Sequence, residues 1–151
     1  MKIKNLLKPD NWWILILSGV IAYMLFMIYS EPEYNKAFNF ILPGLTITFL
    51  STFISFIIAL FLGLISGIGR ISKNKFARTI SRTYIEFIRG VPVLILIFTI
   101  AFVVVVRAAE FFNINNGNVP MLVRAIIALS VFYGAYIAEV FRAGIESVSV
   151  G

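Results

Sequence analysis

Four apolar runs divide this chain, at residues 12–29, 45–68, 92–112 and 119–140. Each is long enough to cross a bilayer. A spanning helix needs roughly 20 residues, because the hydrocarbon core is about 30 Å thick and a helix rises about 1.5 Å per residue. Lipid offers no partner to an exposed amide, so segments of this kind fold as helices that satisfy their own backbone. Sixty per cent of the 151 residues are hydrophobic (60%), against roughly 45–50% in soluble domains. That is more apolar side chain than one water-facing domain can cover. The expected fold is an all-α integral membrane protein with four transmembrane helices.

The chain contains no cysteine and no histidine. Disulfides, thiol nucleophiles, zinc sites and imidazole acid–base chemistry are thereby excluded. No cofactor is expected. The formal net charge of +6 is compatible with nucleic acid, but its distribution argues against such a partner. Lys and Arg cluster between the apolar runs, where a membrane protein meets the anionic headgroups of the lipid bilayer.

The same residues set the orientation. Lys2, Lys4 and Lys8 form one basic island. Residues 70–89 form the other, with Arg70, Lys73, Lys75, Arg78, Arg82 and Arg89 against the single acid Glu86. Residues 30–39 are poor in positive charge, with Glu31, Glu33 and Lys36. Basic loops stay in the cytoplasm. The N-terminus, residues 70–89 and the C-terminal end are expected inside; residues 30–39 and 113–118 are expected outside. The first run resembles a signal peptide but has no small-x-small cleavage site before Glu31, so it is read as an uncleaved span. Trp12, Trp13 and Tyr29 serve as its interfacial anchors. The second run is entered through Pro43 and Gly44. The third has a last turn frayed by Arg107 and Glu110, and the fourth follows the turn-rich stretch at 113–118. Arg124, near the outer end of the fourth span, is read as a snorkelling anchor.

Within the second run, Ser51, Ser55, Ala59, Gly63 and Gly67 recur every four residues among Phe, Ile and Leu. Close approach of helices in lipid depends on small residues at this spacing. The stripe drifts around the helix, which favours a crossed contact with one partner helix. Ser130, Gly134 and Ala138 form a shorter version in the fourth run. Simple bundle packing explains both stripes; faces that slide during a transport cycle are the functional alternative. The string from Gly63 to Arg70 is glycine-rich, yet it lacks a Gly-Lys-Ser/Thr ending and a preceding strand, so it is not a phosphate loop.

Between the second and third runs, Phe76, Ile80, Tyr84 and Ile88 fall on one helical face. Lys75, Arg78, Arg82, Glu86 and Arg89 fall on the other. This describes a basic amphipathic helix at the membrane surface on the cytoplasmic side. Gly90 is expected to end it and Pro92 to begin the next helix. Three Glu/Arg sets are spaced by three: Glu86 with Arg89, Arg107 with Glu110, and Glu139 with Arg142. Such pairs face each other on a helix. Self-neutralisation at the interface is one reading of them, and a role in gating or coupling is the other.

Three strings in order carry a family resemblance: Gly67-Ile-Gly-Arg-Ile-Ser72, Tyr84-Ile-Glu-Phe-Ile-Arg-Gly-Val-Pro-Val93, and Ala135-Tyr-Ile-Ala-Glu-Val-Phe-Arg-Ala-Gly144 with its continuation to Val148. The chain resembles the permease subunit of polar amino acid ABC importers, of the type I fold, over roughly residues 44–151. The resemblance implies a bacterial plasma-membrane subunit that pairs with a second permease subunit as a homo- or heterodimer. It implies an extracytoplasmic amino acid-binding protein that delivers substrate and a cytoplasmic ABC ATPase that drives alternating access. The permease itself performs no covalent chemistry. On this resemblance Glu86, Arg89, Gly90 and Pro92 shape the cytoplasmic entry of the third span. Ala135, Glu139, Arg142 and Gly144 lead toward the loop that couples to the ATPase. Residues 1–40 then form a basic tail, an extra span and an external loop, and residues 41–151 the N-terminal part of the permease membrane domain. In the family the third string continues into a Glu-Ala-Ala coupling segment and two further spans. This sequence ends at Gly151, and a truncated or split subunit is expected. A non-transporting membrane scaffold or decayed permease is the alternative. An intramembrane enzyme needs a nucleophile or metal ligands at depth, and the spans hold no Cys, His or paired Asp; for a channel, no charge ring or filter-like Gly run is visible.

Overall fold

The computed structural model describes residues 12–115 and 118–148. Lys2, Lys4, Lys8, Asn116, Gly117 and Gly151 lie outside the described residues. Among those described, all regular structure is helical: α1 (Trp12–Ser30), α2 (Pro32–Ile71), α3 (Lys75–Gly90), α4 (Val93–Thr99), a π-helical stretch (Ile100–Val104), α5 (Val105–Phe111) and α6 (Met121–Ser147). Among the described residues, four helical stretches are long and apolar enough to cross a membrane: Trp12–Ser30, Pro32–Ile71, Val93–Phe111 and Met121–Ser147. The chain divides into two compact units, with the boundary between Ile47 and Thr48.

In the first unit, only Glu31 separates α1 from α2. Pro32 begins α2, where its missing N–H costs nothing. The Glu31 amide donates to the Met27 carbonyl and the Asn35 amide to the Glu31 carbonyl, at 3.0 and 3.1 Å. Residues 32–39 are therefore helical rather than an open loop. The helix also does not begin at Pro43: that proline lies inside α2. A proline deletes one donor, and the flanking turns keep their own bonds.

The second unit is organised around α6, which buries Ile126, Ala128, Ser130, Phe132, Gly134, Ala135 and Ala138. One side packs on the third span through Leu96, Ile100, Ala101 and Val105, with Ile88 of α3 joining the same apolar cluster. The other side meets the C-terminal half of α2. Asn74 starts α3 by accepting the Phe76 amide at 2.9 Å. Gly90 is the last residue of α3, and Pro92 caps α4 in an extended conformation rather than occupying its first turn. At the far end of the third span, Asn113 adopts φ 55°. Its amide reaches the Glu110 carbonyl and the Ile114 amide reaches that of Ala109, at 3.0 and 2.8 Å. This is a Schellman closure, and asparagine tolerates the left-handed conformation it needs. The string from Gly63 to Arg70 is continuous helix within α2.

Candidate functional site

Three helices converge where α2 ends, α3 runs and α6 approaches its C-terminus. Glu139 of α6 stands at the junction. One of its carboxylate oxygens accepts Arg70 of α2 at 2.6 Å and lies 3.8 Å from Arg89 of α3. The other accepts Arg142 of α6 at 2.5 Å. The Glu139 side chain is 23% exposed, so part of this network is shielded from water. Charged hydrogen bonds are stronger there and harder to leave unmade. Arg142 continues to Glu146, and Arg70 lies 3.9 Å from Glu86. Arg89 also sits over the Tyr136 ring, 5.5 Å from its centroid, a cation–π contact with α6.

The expected pairing of Glu86 with Arg89 along α3 is replaced by two other contacts. Glu86 accepts Arg82 one turn back at 2.7 Å and faces Arg70. Arg89 is drawn to Glu139 and Tyr136. Spacing along one helix describes only local partners, and carboxylates on neighbouring helices compete for the same cations. By contrast, Glu139 with Arg142 and Arg107 with Glu110 are local i,i+3 pairs. Arg107 and Glu110 stand apart from the junction and are largely exposed. Arg124 donates to the Val119 carbonyl at 3.0 Å.

Small residues bring the helices close enough for these charges to meet. Ser55, Ala59, Gly63 and Gly67 are buried along α2, whereas Ser51 is only half-buried and donates to Thr48 within its own helix. A Cβ at Gly63 would stand 3.1 Å from the Ala138 amide nitrogen. At Gly67 it would stand 2.9 Å from the Ala138 carbonyl oxygen. Ser130 donates to the Ile126 carbonyl at 2.7 Å and approaches the Ser55 carbonyl at 3.3 Å. On α3, Tyr84 lies over Gly134, and its hydroxyl donates to the Val131 carbonyl at 2.6 Å. Burial pushes the Tyr84 phenol up to about 12. Gly90 and Gly144 differ from these glycines, since a Cβ at either meets open space.

Arg70, Tyr84 and Tyr136 were missed as site residues by sequence reasoning. Only their places in the three quoted strings, Arg70 in the first, Tyr84 in the second and Tyr136 in the third, marked them. On the apolar side of α3, Ile85 and Ile88 are buried, while Phe76 and Ile80 remain exposed.

Residues 59–151, which include the whole junction, match the family described as "Binding-protein-dependent transport system inner membrane component". The chain belongs to this family of inner membrane transport components. A glutamate/glutamine/aspartate/asparagine transport system permease protein, BztC of Rhodobacter capsulatus, is 27% identical over 145 residues, covering 88% of this chain and 32% of that protein. The histidine/lysine/arginine/ornithine transport system permease protein HisQ of Escherichia coli is 32% identical over 114 residues, covering 74% and 50%. Among solved structures, an amino acid ABC transporter crystallised with histidines superposes with a TM-score of 0.64 at 29% identity, covering 78% of this chain and 51% of that one. This inner membrane component thus spans between a third and a half of these relatives. It is a multi-pass membrane protein whose named relatives are transport permeases rather than enzymes.

Proposed function

We propose that the chain is the membrane-spanning permease part of an ABC-type amino acid importer. It contributes to the passage for a polar amino acid delivered by an extracytoplasmic binding protein. A second permease subunit completes the passage, and a separate cytoplasmic ATPase supplies the energy. Membership of residues 59–151 in the transport family carries this reading. That the relatives are transport permeases favours it over a scaffold.

The mechanism follows from the junction. The Glu139 carboxylate ties the ends of α2, α3 and α6 into one charged joint beside the third span. The α2–α6 contact above it is close, because glycine and serine on one helix leave room for side chains of the other, with Ile137 seated over Gly63 and Leu62 over Gly134. A joint of this kind moves force applied near the end of α6 into α2 and α3 together. Glu86, Arg89, Glu139 and Arg142 act as assembly and coupling residues on this reading. Gly90 and Pro92 set the bend into the third span, and Gly144 lies on the way to the coupling region. The permease core begins near residue 41, with residues 1–40 an addition to it.

The two basic islands, Lys2, Lys4 and Lys8 and the residues from Arg70 to Arg89, support a cytoplasmic side for the N-terminus and for that connection. The absence of native cysteine makes this testable: Asn118→Cys should react with an impermeant maleimide added to whole cells, and Ser72→Cys should not. For the function itself, the chain is tagged in its native membrane, and copurifying proteins are identified after mild solubilisation. An ABC ATPase whose hydrolysis rises with amino acid-loaded binding protein is the expected result. Repeated capture without any ATPase would contradict the proposal.

A further inference from the structure

The turn between α2 and α3 carries an open trough of about 560 Å³. Ile65 and Ile68 of α2 form one wall, and Phe76 and Ile80 of α3 the other. All four are half or more exposed. Gly69 and Ser81 form the floor, packed so closely that a Cβ on Gly69 would collide with the Ser81 hydroxyl. The trough is apolar along its walls and ends at Ser72, one residue beyond the end of α2.

That end is charged in one sense only. Lys73 and Lys75 bracket the turn, and Arg78 reaches back to the Ser72 carbonyl at 3.4 Å. Among the described residues none of these three cations has a carboxylate within ion-pair distance, whereas Arg70, Arg82, Arg89 and Arg142 all do. Unpaired cations at the end of a spanning helix stand at headgroup depth, where an anionic surface attracts each of them. An apolar trough beside the end of a spanning helix and a cationic rim at its mouth match the two halves of one ligand, an acyl chain and an anionic headgroup.

We propose that this trough is a binding site for an anionic phospholipid, with an acyl chain between Ile65, Ile68, Phe76 and Ile80 and the headgroup phosphate among Lys73, Lys75 and Arg78. An acidic protein segment would find the same cations, but exposed isoleucine and phenylalanine beside the end of a spanning helix favour lipid as the occupant. Bound there, the lipid fills the cleft between α2 and α3 and braces α3 against the bilayer.

The test uses the full chain in a mild detergent, titrated with phosphatidylglycerol or phosphatidylcholine of identical acyl chains and read by native mass spectrometry. Each basic side chain near an anionic surface contributes roughly fivefold, so phosphatidylglycerol should bind at least about tenfold tighter. The K73Q/K75Q/R78Q variant should lose that preference, and Ile80→Asn should weaken both lipids. Equal binding of the two lipids by the unaltered chain overturns the site without depending on any variant. An undiminished preference in the triple variant overturns it as well. So does a photo-crosslinker at position 80 that captures protein instead of lipid in native membranes.

Discussion

Glu139 and Tyr84 illustrate how single side chains hold this bundle at its charged end. Glu139 serves three arginines from three helices. Its replacement by Gln keeps the shape, leaves Arg89 without a carboxylate partner among the described residues, and leaves Arg70 with only the longer contact to Glu86 and Arg142 with only Glu146. Breaking a fully buried pair costs roughly 3–5 kcal/mol; with Glu139 partly solvated, a loss of about 2–3 kcal/mol is expected for Glu139→Gln in detergent unfolding. The exposed pair gives the contrast, since Arg107→Gln should cost less than about 1 kcal/mol. Equal effects of the two substitutions would show that the junction is merely surface charge. Tyr84 makes a pH-dependent contribution. Its neutral phenol donates to Val131, and burial raises its pKa to about 12 from an ordinary value near 10. The fold prefers the protonated form. The stabilisation is therefore complete below pH ~10 and is lost as the pH rises through about 12. The thermal midpoint of Tyr84→Phe should fall less steeply than that of the unaltered chain over this window. Parallel curves would remove Tyr84 from the account.

Helix α2 and helix α6 approach closely where glycine on one faces backbone or a side chain of the other. Gly67→Leu sets a Cβ 2.9 Å from the Ala138 carbonyl oxygen and 3.1 Å from the Phe141 Cβ, and the neighbour across the contact is backbone that cannot swing aside. Overpacking costs typically 1–3 kcal/mol, so reduced membrane yield and a lower unfolding midpoint are expected. Gly144→Leu, where a Cβ has open space, should change little. Gly67→Leu behaving like Gly144→Leu would place the stripe against lipid. At this scale much of the architecture is legible in the sequence. The four spans follow from uninterrupted apolar length, and the end of α3 at Gly90 follows from the loss of a side chain before a proline. Other features are not legible, for identifiable reasons. The forward extension of α2 to Pro32 is hidden because Pro43 and the polar residues before it read as an entry loop. The π-helical stretch from Ile100 to Val104 lies in a featureless apolar run, with no glycine or proline to mark it. One extra residue in that turn re-aims the side chains after it, a feature frequent at functional sites. The partners of Glu86 and Arg89 were not legible, because periodicity reports neighbours on one helix and the structure pairs across three.

The described residues form spanning helices, and the second unit joins α2, α3 and α6 through the ion pairs around Glu139. That arrangement lies in the part of the chain that matches a family of inner membrane transport components. The junction strings lie within residues 59–151, the part of the chain that matches the transport family. On the proposed coupling role of Glu139 and its arginines, altering Glu139 should change the rate of uptake rather than its selectivity. The most direct measurement is uptake of radiolabelled amino acids, surveyed across acidic, amide, basic and sulfur-containing types, in cells with the gene intact, disrupted, or restored as the Glu139→Gln form. Loss of energy-dependent uptake of one amino acid class on disruption, recovered by the unaltered gene and much less by Glu139→Gln, is the expected result. Uptake of every amino acid unchanged by disruption, in cells where the protein is normally present, would contradict the central claim.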